Sequence, residues 1–258
     1  MGQTKGKSKM IVDLIDFTGK CSSDPWYAAK LLVYTKNTRL EQGPDTYNKI
    51  FSMGEDELYR ELNYISNTIR SSWEMVDFTF SIRQVTRAFT HQLVRTRTAS
   101  YAQQAMRIAD MGNFETLVPE SVKKFDGGSD WSDCMNKISN VYKFYQENGI
   151  PTQDCRGVLP TNVLTNIIMK VNLRTLADLV GKRDNLRAQG EYTDVVIEME
   201  RLAIDVWPWV RPFLKPDRTA TPALEAILKK ALGDRAPSSV PEINDALKEL
   251  DRLKGIWG

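Results

Sequence analysis

The 258 residues suffice for one large domain or two small ones with a sizeable core, and 41% apolar and 26% charged residues are ordinary for a soluble globular protein. A formal net charge of +2 excludes a general electrostatic binder of nucleic acid or membranes, so any anion site must be local. Three widely spaced cysteines, Cys21, Cys134 and Cys155, give neither a disulfide framework nor a zinc site, which makes a reducing cytoplasm the expectation. The only histidine, His91, rules out a multi-histidine metal site, and no metal is expected. No apolar run is long enough to span a bilayer.

Residues 1–9 are basic and lack the apolar core of a signal peptide, and they read as a disordered tail. Met10 to Phe17 reads as a short strand. Asp24 and Pro25 signal a helix that starts after Ser23 and runs towards Thr35. Glu55 to Arg70 is a second helix, with Leu58, Leu62 and Ile65 at helical spacing. Val76 to Ile82 alternates apolar and polar side chains and predicts a half-buried strand. Val85 to Val94 reads as a helix, placing Arg87 and His91 on one face and Gln84, Ala88 and Gln92 on its neighbour. Asp126 to Asp130 is a loop, Trp131 to Asn148 a helix and Leu164 to Val171 a strand. Helices follow over Leu173 to Lys182 and Ala188 to Trp207, and Pro208, Pro212 and Pro216 then break the pattern. Trp207 and Trp209 read as packing rather than a stacking platform. Ala223 to Leu232 and Glu242 to Leu253 make two short amphipathic helices. The expectation is an α+β fold, a small central and mostly antiparallel sheet flanked by helices, with a catalytic domain over 10–220 and a helical extension over 221–258.

Chemistry concentrates in two places. From Arg95 to Arg107 the chain holds three arginines, with Ser100, Tyr101, Gln103 and Gln104 and no acidic residue. Guanidiniums are permanently charged planar forks suited to phosphate, and so dense a group needs an anion or carboxylates among it. The second cluster is Arg156-Gly157-Val158-Leu159-Pro160, then Asn172, Arg174, Asp178 and Arg183. Arg174 and Asp178, four apart, could simply pair on a helix. An arginine in a first helical turn opposes the macrodipole, which points to a ligand instead. No glycine-rich dinucleotide or P-loop motif is present.

In order and spacing, these clusters resemble the flavin-dependent thymidylate synthases, the ThyX family, from about Ser71 to Gln189. The resemblance is carried by Phe78-Thr79-Phe80, Arg87, His91 to Arg95, the run to Arg107, Arg156 to Pro160, Asn172-Leu173-Arg174, Arg183 and Ala188-Gln189. It implies a homotetramer with shared active sites. The implied reaction methylates dUMP at C5 to dTMP, taking a one-carbon unit from methylenetetrahydrofolate and a hydride from NADPH through FAD. By the same resemblance, Ser71, Arg95, Thr96, Arg97, Gln103, Asn172, Arg174 and Asp178 contact FAD. Arg87, Gln92, Arg95, Gln103, Ala105, Arg107 and Arg156 hold the nucleotide, and Arg183 sits against the uracil, where a cation stabilises developing charge.

Several family positions differ here. The Arg-His-Arg triplet is Arg95-Thr96-Arg97, two histidines are missing from Ile69 to Met75, and the serine before Met106 is Ala105. Asp178 stands where histidine or asparagine is common, Arg187 where histidine often is, and Ile108 where tyrosine often is. Two alternatives therefore stay open: a paralog that acts on dCMP or UMP or transfers hydroxymethyl, and a non-catalytic nucleotide or RNA binder that has lost the flavin.

Overall fold

The computed structural model describes residues 10–38, 43–183 and 190–215; the expected basic tail and both C-terminal helices lie outside these. The described residues form two units. The first draws on residues 10–17, 78–171 and 190–199, and the second on 18–77, 172–183 and 200–215.

The first unit is built on a four-stranded sheet in the order β1-β2-β4-β3, from β1 (Ile11–Phe17), β2 (Asp77–Thr86), β3 (Ser100–Gln103) and β4 (Leu164–Asn172). β1 pairs antiparallel with β2, setting Val12 against Ile82 and Leu14 against Phe80, and an irregularity between Leu14 and Asp16 lets Phe17 meet Phe78. β3 pairs antiparallel with β4, Ser100 opposite Lys170 and Gln103 opposite Ile167. The period of two that marked the strands decides burial. Phe78, Phe80 and Ile82 of β2 are fully buried, as are Ile167, Met169 and Val171 of β4, whereas Asn166, Ile168 and Lys170 face out. The α+β expectation, with a small and mostly antiparallel sheet, holds.

α4 (Arg87–Leu93) follows β2 directly. Gln84 therefore lies in the strand and not on the helix face expected from sequence. It adopts φ +59°, a left-handed conformation uncommon for a side chain of this kind, and its N–H donates to Asn166 Oδ1 at 3.2 Å. α5 (Glu120–Asp126) and α6 (Ser129–Glu147) meet at Gly127 and Gly128, both left-handed, so the expected five-residue loop shrinks to this pair. α7 (Thr152–Cys155) leads into a 3-10 turn over Arg156–Val158. Tyr142 of α6 anchors a small satellite core with Met111, Cys155 and Val163, and its hydroxyl accepts the Met111 N–H.

The second unit is helical: α1 (Tyr27–Asn37), α2 (Thr46–Phe51), α3 (Glu55–Thr68), a 3-10 stretch over Arg70–Met75, α8 (Leu173–Arg183) and α10 (Arg211–Leu214). α1 begins at Tyr27, a little later than expected, because the Asp24 carboxylate takes the Trp26 N–H at 2.8 Å and holds a turn before the helix. Leu32, Leu58, Leu62 and Ile65 are fully buried at the anticipated spacing. Trp73 is closed in by an edge-on contact with Phe213 and donates its indole N–H to Ile65 O. Trp207 and Trp209 are buried and stack on one another, which is packing, and Pro208 and Pro212 begin helical turns rather than end the structure, while Pro216 lies outside the described residues. α9 (Glu191–Val206) gives its first half to the sheet unit and its second to the helical one.

Phe80→Ala removes a fully buried ring and should cost about 3–5 kcal/mol of stability. Arg83→Ala breaks only an exposed pair with Asp13 and should cost less than about 1 kcal/mol. Urea unfolding followed by circular dichroism measures both.

Candidate functional site

The passage from β2 to α4 is the local structure that matters. Thr86 caps α4, its hydroxyl accepting the Phe89 N–H at 3.0 Å. The Arg87 N–H goes to Val163 O at 3.0 Å and the Ala88 N–H to Thr161 O at 2.8 Å. Thr86's own N–H and O–H both go to the Glu191 carboxylate, at 2.8 and 2.5 Å. Every amide at this helix start is therefore already satisfied. An anion held here must be held by side chains and not by the helix terminus.

Those side chains are cations. Arg87 is drawn below its ordinary pKa by partial burial first and by the Arg156 guanidinium second. It starts so high that it stays charged. Arg156 is exposed, its Nε donating to Gln153 O at 3.1 Å. Among the described residues no carboxylate pairs with Arg87, Arg95, Arg97, Arg107 or Arg156. Gln103 reaches α4, donating to Thr90 Oγ1 at 2.8 Å, while the Thr90 hydroxyl donates to Arg87 O. Gln92 is exposed on the same helix, and Ala105 and Arg107 are exposed in the turn after β3.

Arg95 and Arg97 stand on the loop between α4 and β3. Its backbone is held by Arg95 N–H to Gln92 O, Thr96 N–H to Leu93 O and Ala99 N–H to Thr96 O. The Tyr101 hydroxyl sits 2.8 Å from Leu93 O and 2.9 Å from Thr96 O, and its single proton serves one of the two carbonyls at a time. Burial first of all pushes this phenol up to about 12. Tyr101 thus ties the arginine loop to the end of α4.

In the helical unit the expected residues are arranged otherwise. Asn172 Oδ1 accepts the Thr175 N–H at 2.8 Å and closes the first turn of α8. Arg174 pairs with Glu74 at 2.5 Å, and Asp178 pairs with Arg70, which also lies over the Trp73 ring. The pairing of Arg174 with Asp178 that their spacing allows is not formed. Ser71 is exposed in the 3-10 stretch, and Arg183 ends α8. Sequence reasoning missed Thr86, Glu191, Arg70 and Glu74, and it read Tyr101 as a polar group beside the arginines and not as the tie that holds their loop. A threonine directly before a helical run was a legible cap signal for the first; the others depend on tertiary pairing.

A small sheet beside a loop whose arginines have no described carboxylate partner, with a helix start whose amides are all used, defines the class as an α+β protein. The family of thymidylate synthase complementing proteins matches residues 13–209. The chain is 34% identical over 172 residues to the flavin-dependent thymidylate synthase of Geobacter sulfurreducens, covering 62% of this chain and 74% of that protein. The enzyme of the same name from Pyrococcus furiosus is 39% identical over 150 residues, 56% of this chain and 60% of its own length. That from Sulfolobus acidocaldarius is 34% identical over 175 residues, 65% and 64%. The chain belongs to this family, that of the flavin-dependent thymidylate synthases, and is an enzyme of it. Among the described residues no helix is long and apolar enough to cross a membrane, and no cluster of side chains could hold a metal ion.

Tyr101→Phe should loosen the arginine loop by the loss of one hydrogen bond, about 1 kcal/mol. Because the folded phenol lies above its usual 10, its contribution is whole below pH 10 and is lost as pH climbs towards about 12. An ultraviolet titration of the variant should lack this late-titrating tyrosine.

Proposed function

We propose that the protein methylates dUMP at C5 to give dTMP, using methylenetetrahydrofolate as one-carbon donor, NADPH as reductant and FAD as the bound flavin. The observation that carries this reading is the approach of Arg87 and Arg156 with no described carboxylate at either, beside a helix start with no amide to spare. Two guanidiniums close enough to interact suit a phosphate monoester, a dianion that relieves the repulsion on Arg87. In this reading Arg87, Gln92, Arg107 and Arg156 hold the nucleotide, with Arg95, Gln103 and Ala105 beside it.

The donor set also fits a flavin dinucleotide. Arg95 and Arg97, exposed and without a described carboxylate on a loop fixed by Tyr101, suit a diphosphate, with Thr96 and Gln103 adjacent. When bound, the flavin supplies two-electron hydride chemistry that side chains lack. From the helical unit Ser71, Asn172, Arg174 and Asp178 are assigned to the same cofactor. Glu74 neutralises Arg174, and Arg70 neutralises Asp178, so this subsite presents dipoles and paired charges rather than bare cations. Arg183 is assigned to the uracil, where its charge stabilises the electron-rich ring during attack.

The assembly is proposed to be a homotetramer in the cytoplasm. Phe125 and Phe144, both well exposed, are apolar surface of the kind subunits cover, and Cys21, Cys134 and Cys155 are free thiols. A second reading, the same chemistry on dCMP or UMP or with hydroxymethyl transfer, is favoured by Ala105, which offers a methyl where the family's serine would offer a hydroxyl.

Purified protein reconstituted with FAD should show the flavin absorbance band and, with NADPH and the folate, convert dUMP to a product of dTMP mass. Product from dCMP or UMP alone would select the second reading, and a colourless protein that takes up no FAD would leave a non-catalytic nucleotide binder. Arg156→Ala should raise the KM for dUMP by about tenfold or more, the loss of one charge-assisted contact. Arg183→Ala should abolish turnover with the flavin band retained; undiminished turnover removes Arg183 from its role.

A further inference from the structure

Glu191 has no part in the assignments above, yet it is the carboxylate nearest in bonding to the proposed nucleotide subsite. It lies in the first turn of α9 and reaches across 105 positions of sequence to Thr86. A glutamate at a helix start is commonly there for the macrodipole, interacting with the amides of its own helix. This one turns instead to the cap of another helix. The next residue does the same with its ring: Tyr192 packs edge-on against Phe89 at 5.2 Å, so the start of α9 grips both the cap and the third residue of α4.

The arrangement suits a carboxylate. Thr86 presents two donors, its N–H and its O–H, and each goes to a different oxygen of Glu191, a split that an amide with one acceptor oxygen cannot reproduce in the same pose. The hydroxyl has one proton. Giving it to Glu191 turns the oxygen's lone pairs to the Phe89 N–H and sets the cap. An amide in place of the carboxylate would aim an NH2 at one of Thr86's donors and turn the hydroxyl from its capping pose. Burial holds the Glu191 pKa above its ordinary value, the Thr86 hydrogen bonds offset part of that rise, and the Asp194 carboxylate adds to it.

We propose that Glu191 is a positioning residue for the nucleotide-phosphate subsite: it fixes Thr86, and through that cap the placement of Arg87 opposite Arg156. The inference rests on the proposed function for the identity of the anion. Its structural half stands on the Thr86 geometry alone. A guanidinium displaced by about 1 Å loses much of its contribution to a held phosphate, so the effect belongs to nucleotide affinity and not to flavin binding.

The test uses the full chain with FAD bound. Glu191→Gln should weaken dUMP binding by about tenfold in calorimetry and raise its KM alike, with kcat at saturating dUMP within about twofold and the flavin band unchanged. Thr86→Val should reproduce this loss, Thr86→Ser should keep parental affinity, and the Glu191→Gln/Thr86→Val double variant should be no worse than either single one. Hydrogen exchange over residues 86–93 should quicken in Glu191→Gln and Thr86→Val and stay slow in Thr86→Ser. Parental dUMP affinity in Glu191→Gln overturns the proposal, as does a parallel loss of kcat, flavin and thermal stability, which is the mark of a structural role. If the parent protein binds dUMP, dCMP and UMP not at all, the functional reading fails. Exchange over 86–93 then decides by itself whether Glu191 fixes the start of α4.

Discussion

The Arg156 guanidinium lies near enough to Arg87 to disfavour the charge there, after burial, and no described carboxylate pairs with either. Their repulsion is a cost, screened by water on the Arg156 side, that a bound anion would remove. The surroundings are built to keep them there. α4 starts where β2 ends, its first amides are committed to Val163 O, Thr161 O and the Thr86 hydroxyl, and Thr86 is committed to Glu191. With the backbone donors used up, the side chains are left for a ligand.

The arginines around the proposed site fall into two groups, one bare and one paired. Around the sheet, Arg87, Arg95, Arg97, Arg107 and Arg156 have no described carboxylate partner. In the helical unit Arg174 meets Glu74, and Arg70 meets Asp178. The difference is physical and not a matter of composition. Bare guanidiniums concentrate positive potential and bind dianions; paired ones offer directed N–H groups with little net charge. Arg174 opens α8, where its own charge opposes the helix dipole, and Glu74 offsets that opposition locally.

What could be read from the sequence follows from how local each signal is. The alternation of Phe78, Phe80 and Ile82 and the spacing of Leu58, Leu62 and Ile65 report burial, and the fold buried them. β3 was invisible because Ser100 to Gln103 carries no apolar alternation; backbone bonds to β4 make it a strand, and its side chains serve other ends. Gln84 was placed on a helix since it fits the spacing of Ala88 and Gln92, but its left-handed backbone ends that periodicity three residues before α4 begins. The arginines of the site were legible from type and density. Their supports, Glu191 and Tyr101, were not, since each acts on a carbonyl, an amide or a hydroxyl supplied by tertiary structure.

The same distinction bears on the triplet in which Thr96 stands for histidine. Thr96 is held largely through its backbone, its N–H going to Leu93 O and its carbonyl accepting from the Ala99 N–H and the Tyr101 hydroxyl, while its side chain also acts on the Tyr101 phenol. The loop that presents Arg95 and Arg97 is therefore shaped mainly by backbone bonds, with the side chain at position 96 adding a contact to Tyr101. A hydroxyl in place of an imidazole there leaves no titratable group between the two arginines, while the backbone bonds of the loop are ones that either side chain permits. The backbone course of this loop and the charge that it carries are thus set by different atoms.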